Sequence, residues 1–206
     1  MDDRLNRSLD RLREALVRDR GRAPFAPFVS ALEGRLCGAF EVRNAMGEVR
    51  RMQEALLPLP APLIRAFAHL APTENLPVDL GTHTLTLWAP HELIELQVGY
   101  RWHGFNGKRM REWDERVVVF AEDGGDPLAL RLDEDDGPVW LSRRGEGRHA
   151  FFEAAPGLAD FYECVALWLE TGEARGLAAA LEARYGPAAE RLWIWRELVS
   201  RVDARR

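Results

Sequence analysis

The stretch RVVVFAEDGGDPLALRLDEDDGPVWLSRR, Arg116 to Arg144, decides the fold class. Val117, Val118, Val119 and Phe120 run without polar interruption, the composition of a strand covered on both faces. The acidic segment Glu122 to Asp126 follows. Its Gly124 and Gly125 supply the positive φ of a tight hairpin turn, and Pro127 opens the next segment without owing a ladder hydrogen bond. Leu128, Leu130 and Leu132 then alternate with Ala129 and Arg131, the period-two signature of a half-buried strand. A second acidic turn, Asp133 to Gly137, leads to Val139 and Leu141 alternating with Trp140. The reading is a meander of three antiparallel strands.

Upstream, Leu5, Leu9, Leu12 and Leu16 predict a helix over 3–19 with one narrow apolar stripe. Residues 25–43 read either as a short helix or as an irregular arm, with Ala39 to Val42 open to a short strand. Val49, Met52, Ala55 and Leu56 predict a helix from Asn44 or Gly47, ended by Pro58 and Pro60. Pro62 starts the next helix, through Leu63, Ile64, Phe67 and Leu70. Leu80 to Trp88 alternates as a strand, and Pro90 begins a short helix. Residues 98–115 read as an irregular loop whose Tyr100, Trp102, His103, Phe105 and Trp113 suit either recognition or pinning of the loop to the sheet.

Downstream, His149 to Glu153 reads as a further strand. Leu158, Phe161, Val165, Trp168 and Leu169 mark one side of a helix. Two more helices are expected, Gly172 to Tyr185 and Pro187 to about Val202. The last carries a wide apolar face that demands a cover, either the amino-terminal helix or a second copy, which makes the terminal helices a candidate homodimer contact.

The chain has 206 residues, 47% hydrophobic and 30% charged, enough to bury a sizeable core. Net charge is −5, which argues against direct nucleic-acid binding and favours a basic partner. No run reaches the length of a membrane span and the first twenty residues lack the apolar core of a signal peptide, so a cytoplasmic home is expected. Cys37 and Cys164 form no C-x-x-C pair and read as reduced thiols. Lys108 is the only lysine among 28 basic residues, a bias of GC-rich bacterial genomes.

Chemical motifs are thin. His91-Glu-Leu-Ile-Glu95 begins like a zinc-protease motif, but Glu95 stands where the second imidazole belongs. Gly104 to Arg109 lacks the spacing of a phosphate loop, and the Asp133 to Asp136 run lacks the closing Glu of a calcium loop. A dispersed site assembled from His83, His103 and the acidic turns is the one catalytic alternative. No catalytic residue, metal ligand or cofactor is assigned.

Leu59-Pro-Ala-Pro-Leu-Ile-Arg-Ala-Phe67 after the 49–59 segment, Thr86 to Leu93, Phe120 to Asp126 with Leu128 to Leu132, and Ala159 to Leu167 together resemble the SUKH superfamily. That family includes bacterial toxin-immunity proteins and a fungal cell-wall assembly regulator associated with killer-toxin resistance. The resemblance covers about Val49 to Thr171. It departs from the family pattern after the second helix, where the usual Gly-rich segment is missing, and at Pro127.

The expected fold is α+β: a central, mainly antiparallel sheet flanked by helices, with helical extensions at both termini. The expected division is an extension over 1–45, a core over 46–171 and a second extension over 172–206. The resemblance implies a bacterial immunity-type protein that binds a basic protein toxin, often a nuclease. The alternative is a non-catalytic scaffold or regulatory adaptor of the same fold. Glu122, Asp123, Asp126, Asp133, Glu134, Asp135 and Asp136 are the candidates for steering such a partner, and Trp102, Trp113 and Trp140 for anchoring it. If one sheet face is open, Thr84, Thr86, Trp88 and Arg131 join Trp140 on it.

Overall fold

A computed structural model describes residues 3–21, 25, 34–135, 137–143 and 150–199. The expected meander forms the middle of a six-stranded antiparallel sheet, β3 (Leu76–Asp79), β4 (Thr84–Leu87), β5 (Val117–Asp123), β6 (Asp126–Arg131), β7 (Val139–Ser142) and β8 (Phe151–Ala155), with spatial order equal to chain order. The fold class is α+β. Gly124 and Gly125, at φ 61° and 88°, make the β5–β6 turn that pairs Asp123 with Asp126. β3 was not anticipated, because the proline inside Leu76-Pro-Val-Asp79 masks its alternation.

Val117 to Ala121 are all buried, as a strand packed on both faces requires. On one side lies α4 (Leu158–Thr171), with Phe161 edge-on to Phe120 at 5.4 Å. On the other, Gln97, which follows α3 (Leu93–Leu96), bonds to the backbone of Val119. The centre of the sheet therefore has no open face: Thr86, Trp88, Arg131 and Trp140 are half-buried, and only Thr84 of that set is exposed.

Helix α1 (Asp3–Arg20) lies on α4, burying Leu5, Leu9, Leu12 and Leu16. Arg4 pairs with Asp160, and Arg11 reaches Glu163 at 2.6 Å and Glu170 at 2.5 Å. After α5 (Ala174–Tyr185), the expected long helix is instead a 3-10 turn over Gly186–Arg191 followed by a π turn over Trp195–Val199. Its Leu192, Trp193 and Ile194 are buried within the same chain, Trp193 against Phe161 at 5.3 Å. Leu192, Trp193, Ile194 and Leu198 of the wide apolar face are thus covered within the chain, and Val202 lies outside the described residues.

The main correction concerns residues 34–60. Val49 to Pro58 is not a helix but β2, paired antiparallel with β1 (Arg35–Arg43) in a separate two-stranded sheet. The four-residue spacing of Met52 and Leu56 fits one face of either element over so short a run. Cross-strand neighbours and the turn decide the matter: the Asn44 side-chain oxygen accepts from the N–H groups of Met46 and Glu48, and Gly47 takes φ 83°. The expected domain boundary at residue 45 falls inside this turn. Helix α2 (Ala61–Leu70) follows as expected, with Pro62 in its first turn. No helix among the described residues is long and apolar enough to cross a membrane.

Candidate protein-binding surface

Hairpin β1–β2 stands on the body through one face only. Phe40, Val42 and Leu57 are buried there, and Gly38 approaches α3 so closely that a Cβ would lie 2.8 Å from Ile94 Cδ1. The edge of β1 is held by the body: Glu41 N–H faces the Glu95 carboxylate at 3.4 Å, and Arg43 N–H donates to Gly104 O at 2.9 Å. Those bonds bring the 98–110 loop against the hairpin tip.

Two concavities result. One, of about 480 Å³, lies at the tip between Glu41, Arg43, Val98, His103, Phe105 and Met110. The other, of about 910 Å³, lies between Ala39, Gln53, Ala55, Trp102, Gly107 and Arg109. The large apolar side chains exposed among the described residues are Met46 (80%), Val49, Met52, Leu56 and Phe105 (56%), and all five belong to this hairpin and the loop beside it. Sequence reasoning missed the surface because it missed the hairpin. The alternation Leu36, Gly38, Phe40, Val42 before Asn44 and Gly47 is the signal that reveals it.

The two loop tryptophans are buried. Trp102 is 6% exposed and stacks on Phe40 at 5.1 Å. Trp113 is 5% exposed, donates its indole N–H to Val117 O at 3.1 Å and packs on Tyr100 and Phe151. Both pin the loop to the core, since burying their large ring area outweighs leaving them in water. Trp140, half-buried on β7, sits between Ala129 and Glu153.

Nor do the acidic residues form one patch. The two turns lie at opposite ends of the β5–β6 pair, about 20 Å apart by strand rise. At one end Asp133 pairs with Arg116 at 3.2 Å and Arg131 at 3.3 Å, and Glu134 pairs with Arg131 at 3.3 Å. The Arg131 hydrogen bond holds the Asp133 carboxyl below its ordinary range. Asp114 joins the cluster, and its hydrogen bonds from Arg116 bring its pKa down to about 2. Asp135 is exposed, and Asp136 lies outside the described residues.

At the other end Asp123 is buried, not solvated. Trp193 Nε1 donates to one carboxylate oxygen at 2.6 Å, and His83 Nε2 lies 2.6 Å from the other. Burial pushes this carboxyl up, opposed by the Trp193 hydrogen bond and the His83 charge. Thr82 Oγ1 is 2.7 Å from His83 Nδ1, so hydroxyl, imidazole and carboxylate follow the order of a hydrolytic triad. The neighbouring cavity of about 270 Å³ is lined by His83, Asp123, Asp126, Arg143 and Glu197 but not by Thr82. The hydroxyl therefore sits on the far side of the imidazole from the space a substrate would fill. What the arrangement does is tie the β5–β6 turn to the closing segment. Glu122 is half-buried and accepts from the Tyr100 hydroxyl at 3.5 Å.

Among the described residues no group of three or more His, Cys, Asp or Glu side chains is placed to hold a metal. Cys37 is exposed on β1, and Cys164 is buried, its thiol pushed up by burial. No family model, curated protein or solved structure matches the chain.

Proposed function

We propose that this chain is a binding protein of the immunity type, which neutralises a basic protein toxin by occupying it with the tip of hairpin β1–β2 and the 98–110 loop. One observation carries the choice of surface: the five large apolar side chains exposed among the described residues all belong to this hairpin and the loop beside it, with Met46, Val49 and Phe105 toward the tip. Exposed apolar groups collected in one place, bordered by polar ones, mark interaction sites. Met46 and Phe105 replace the buried tryptophans as anchors. Glu41 and Glu95 border the groove, and the net charge of −5 draws a basic partner toward the molecule. The kind of partner rests on the resemblance to the SUKH superfamily and on charge. A nuclease must attract phosphate and so presents a basic surface that an acidic protein can occupy.

The test is co-purification of the tagged chain from its host beside the Phe105→Asp and Met46→Asp variants, with the salt concentration raised in steps. A single basic polypeptide, toxic alone and harmless when this chain is co-expressed, supports the reading if both variants weaken its capture. Several unrelated polypeptides favour the scaffold alternative. Capture that ignores both substitutions removes the hairpin tip from the site.

A further inference from the structure

Each of the two concavities beside the hairpin holds charge that is only partly matched. In the tip groove Glu41 pairs with Arg43, whose other terminal nitrogen donates to Gly47 O at 2.9 Å. The second carboxylate on that groove, Glu95, is exposed, and one of its oxygens lies 3.4 Å from the Glu41 backbone nitrogen. In the larger concavity Arg109 is taken by Glu115 at 2.6 Å, which leaves the exposed Glu54 facing the same space. Among the described residues no cation forms an ion pair with Glu54 or with Glu95. Both lining arginines are thus neutralised from within the chain, and each concavity keeps one uncompensated carboxylate. The walls beside these carboxylates are apolar, with Val98, Phe105 and Met110 at the tip and Ala39, Ala55 and Leu56 in the larger space.

A single carboxylate beside an apolar wall fits a side chain with an alkyl stem and a cationic head, because the stem covers the wall while the head keeps its charge paired. Of the two side chains built that way, arginine suits the site better. Phe105 offers an exposed ring, and a guanidinium lies flat on a ring while its edge still reaches a carboxylate. The molecule uses that combination within itself, where Arg143 lies over Phe152 at 5.3 Å and pairs with Glu197. On the reading of this surface as the toxin contact, on which the inference rests, we infer that the partner presents two arginine side chains, one to each concavity, with Glu95 and Glu54 as their counter-ions. Glu41 is not such a counter-ion, since Arg43 already holds it. Recognition then depends on where the partner carries its positive charge, and a basic protein without two such side chains is not held.

The probe is N-acetyl-arginine amide, titrated into the full chain while the methyl signals of Met110 and Ala55 are followed by NMR, one reporter for each concavity. Both signals should move, with half-saturation on the order of 10 mM. N-acetyl-citrulline amide, which keeps the shape without the charge, should move neither. Glu95→Gln should weaken the Met110 response about tenfold and spare that of Ala55, and Glu54→Gln should do the reverse. Glu112→Gln removes the same charge from an exposed position outside both concavities and should change neither response. Citrulline acting as well as arginine overturns the inference, as do silence of either methyl or a response that survives its own substitution. After such a result the surface itself still stands if Phe105→Asp and Met46→Asp weaken capture of a basic polypeptide. The expected arginine pattern without any such capture instead removes the toxin reading and keeps the chemistry of the two concavities.

Discussion

The side-chain amide of Gln97 closes a two-way hydrogen bond with the backbone of Val119, donating to its carbonyl at 2.7 Å and accepting from its N–H at 3.2 Å. Ladder pairing shifts register between Val119 and Ala121, so the carboxamide does locally what a neighbouring strand does elsewhere. Gln97 is fully buried and also donates to Leu93 O at 3.1 Å. Replacing it by Met keeps the volume and strands two buried backbone groups, each costing about 1–3 kcal/mol. The expected loss is about 2–4 kcal/mol in urea unfolding, and a change within about 0.5 kcal/mol refutes the bridging role.

Trp193 and Asp123 give a prediction that depends on pH. Burial raises the Asp123 carboxyl above its unfolded value, so its contribution to stability falls as pH rises from the ordinary carboxylate range through the raised native value. The Trp193 N–H opposes that loss by favouring the ionised form. Trp193→Phe should therefore cost about 1.5–3 kcal/mol at neutral pH from the charged hydrogen bond, in addition to a packing loss. Below the ordinary carboxylate range only the packing loss remains. Equal destabilisation at pH 7 and pH 3, followed by urea midpoints, contradicts the assignment.

Asp114 behaves in the opposite sense. Its native pKa of about 2 lies below the unfolded value, so its stabilisation is present above the unfolded pKa and disappears as pH falls through about 2. The side chain is 37% exposed and solvent screens the pair, which holds the expected cost of Asp114→Asn at pH 7 to about 1 kcal/mol or less. Wild type and variant should converge near pH 2, and a gap that persists there excludes the Arg116 pairing as its source.

Gly38 tests how the hairpin is seated. A Cβ at this position meets Ile94 Cδ1 at 2.8 Å, so Gly38→Val should destabilise by about 1–3 kcal/mol through overpacking. Ile94→Ala introduced beside it should recover part of the loss. Thermal unfolding of the two variants decides, and a double variant less stable than the sum of the two singles rules out this contact.

Legibility in the sequence followed the strength of each local signal. Val117 to Phe120, the Gly124-Gly125 turn and the Leu128–Leu132 alternation stated the central meander outright, and α1, α2 and α4 announced themselves through their apolar stripes. The β1–β2 hairpin did not. Met52 and Leu56 face solvent while Ala55 and Leu57 turn inward, so no buried face marks the strand in one dimension. The burial of several candidate site residues was hidden for a related reason. Aromatic residues in a polar loop and carboxylates in turns resemble a contact surface, but Trp102 and Trp113 gain more from the core. Asp123 is claimed by Trp193, 70 residues away, a partner that only tertiary structure supplies.

The seating of α1 on α4 bears on how the chain is made. Arg11 precedes its partner Glu163 by 152 residues. At a synthesis rate of roughly 5–20 residues per second, α1 waits about 8–30 s on the ribosome before α4 exists to receive it. Throughout that interval Leu5, Leu9, Leu12 and Leu16 form an uncovered apolar stripe, and the six-stranded sheet lacks the helix that closes one of its faces. Burden on the cell's chaperones is therefore concentrated in the nascent chain, and the yield of soluble protein should respond to translation speed more than to the stability of the finished fold.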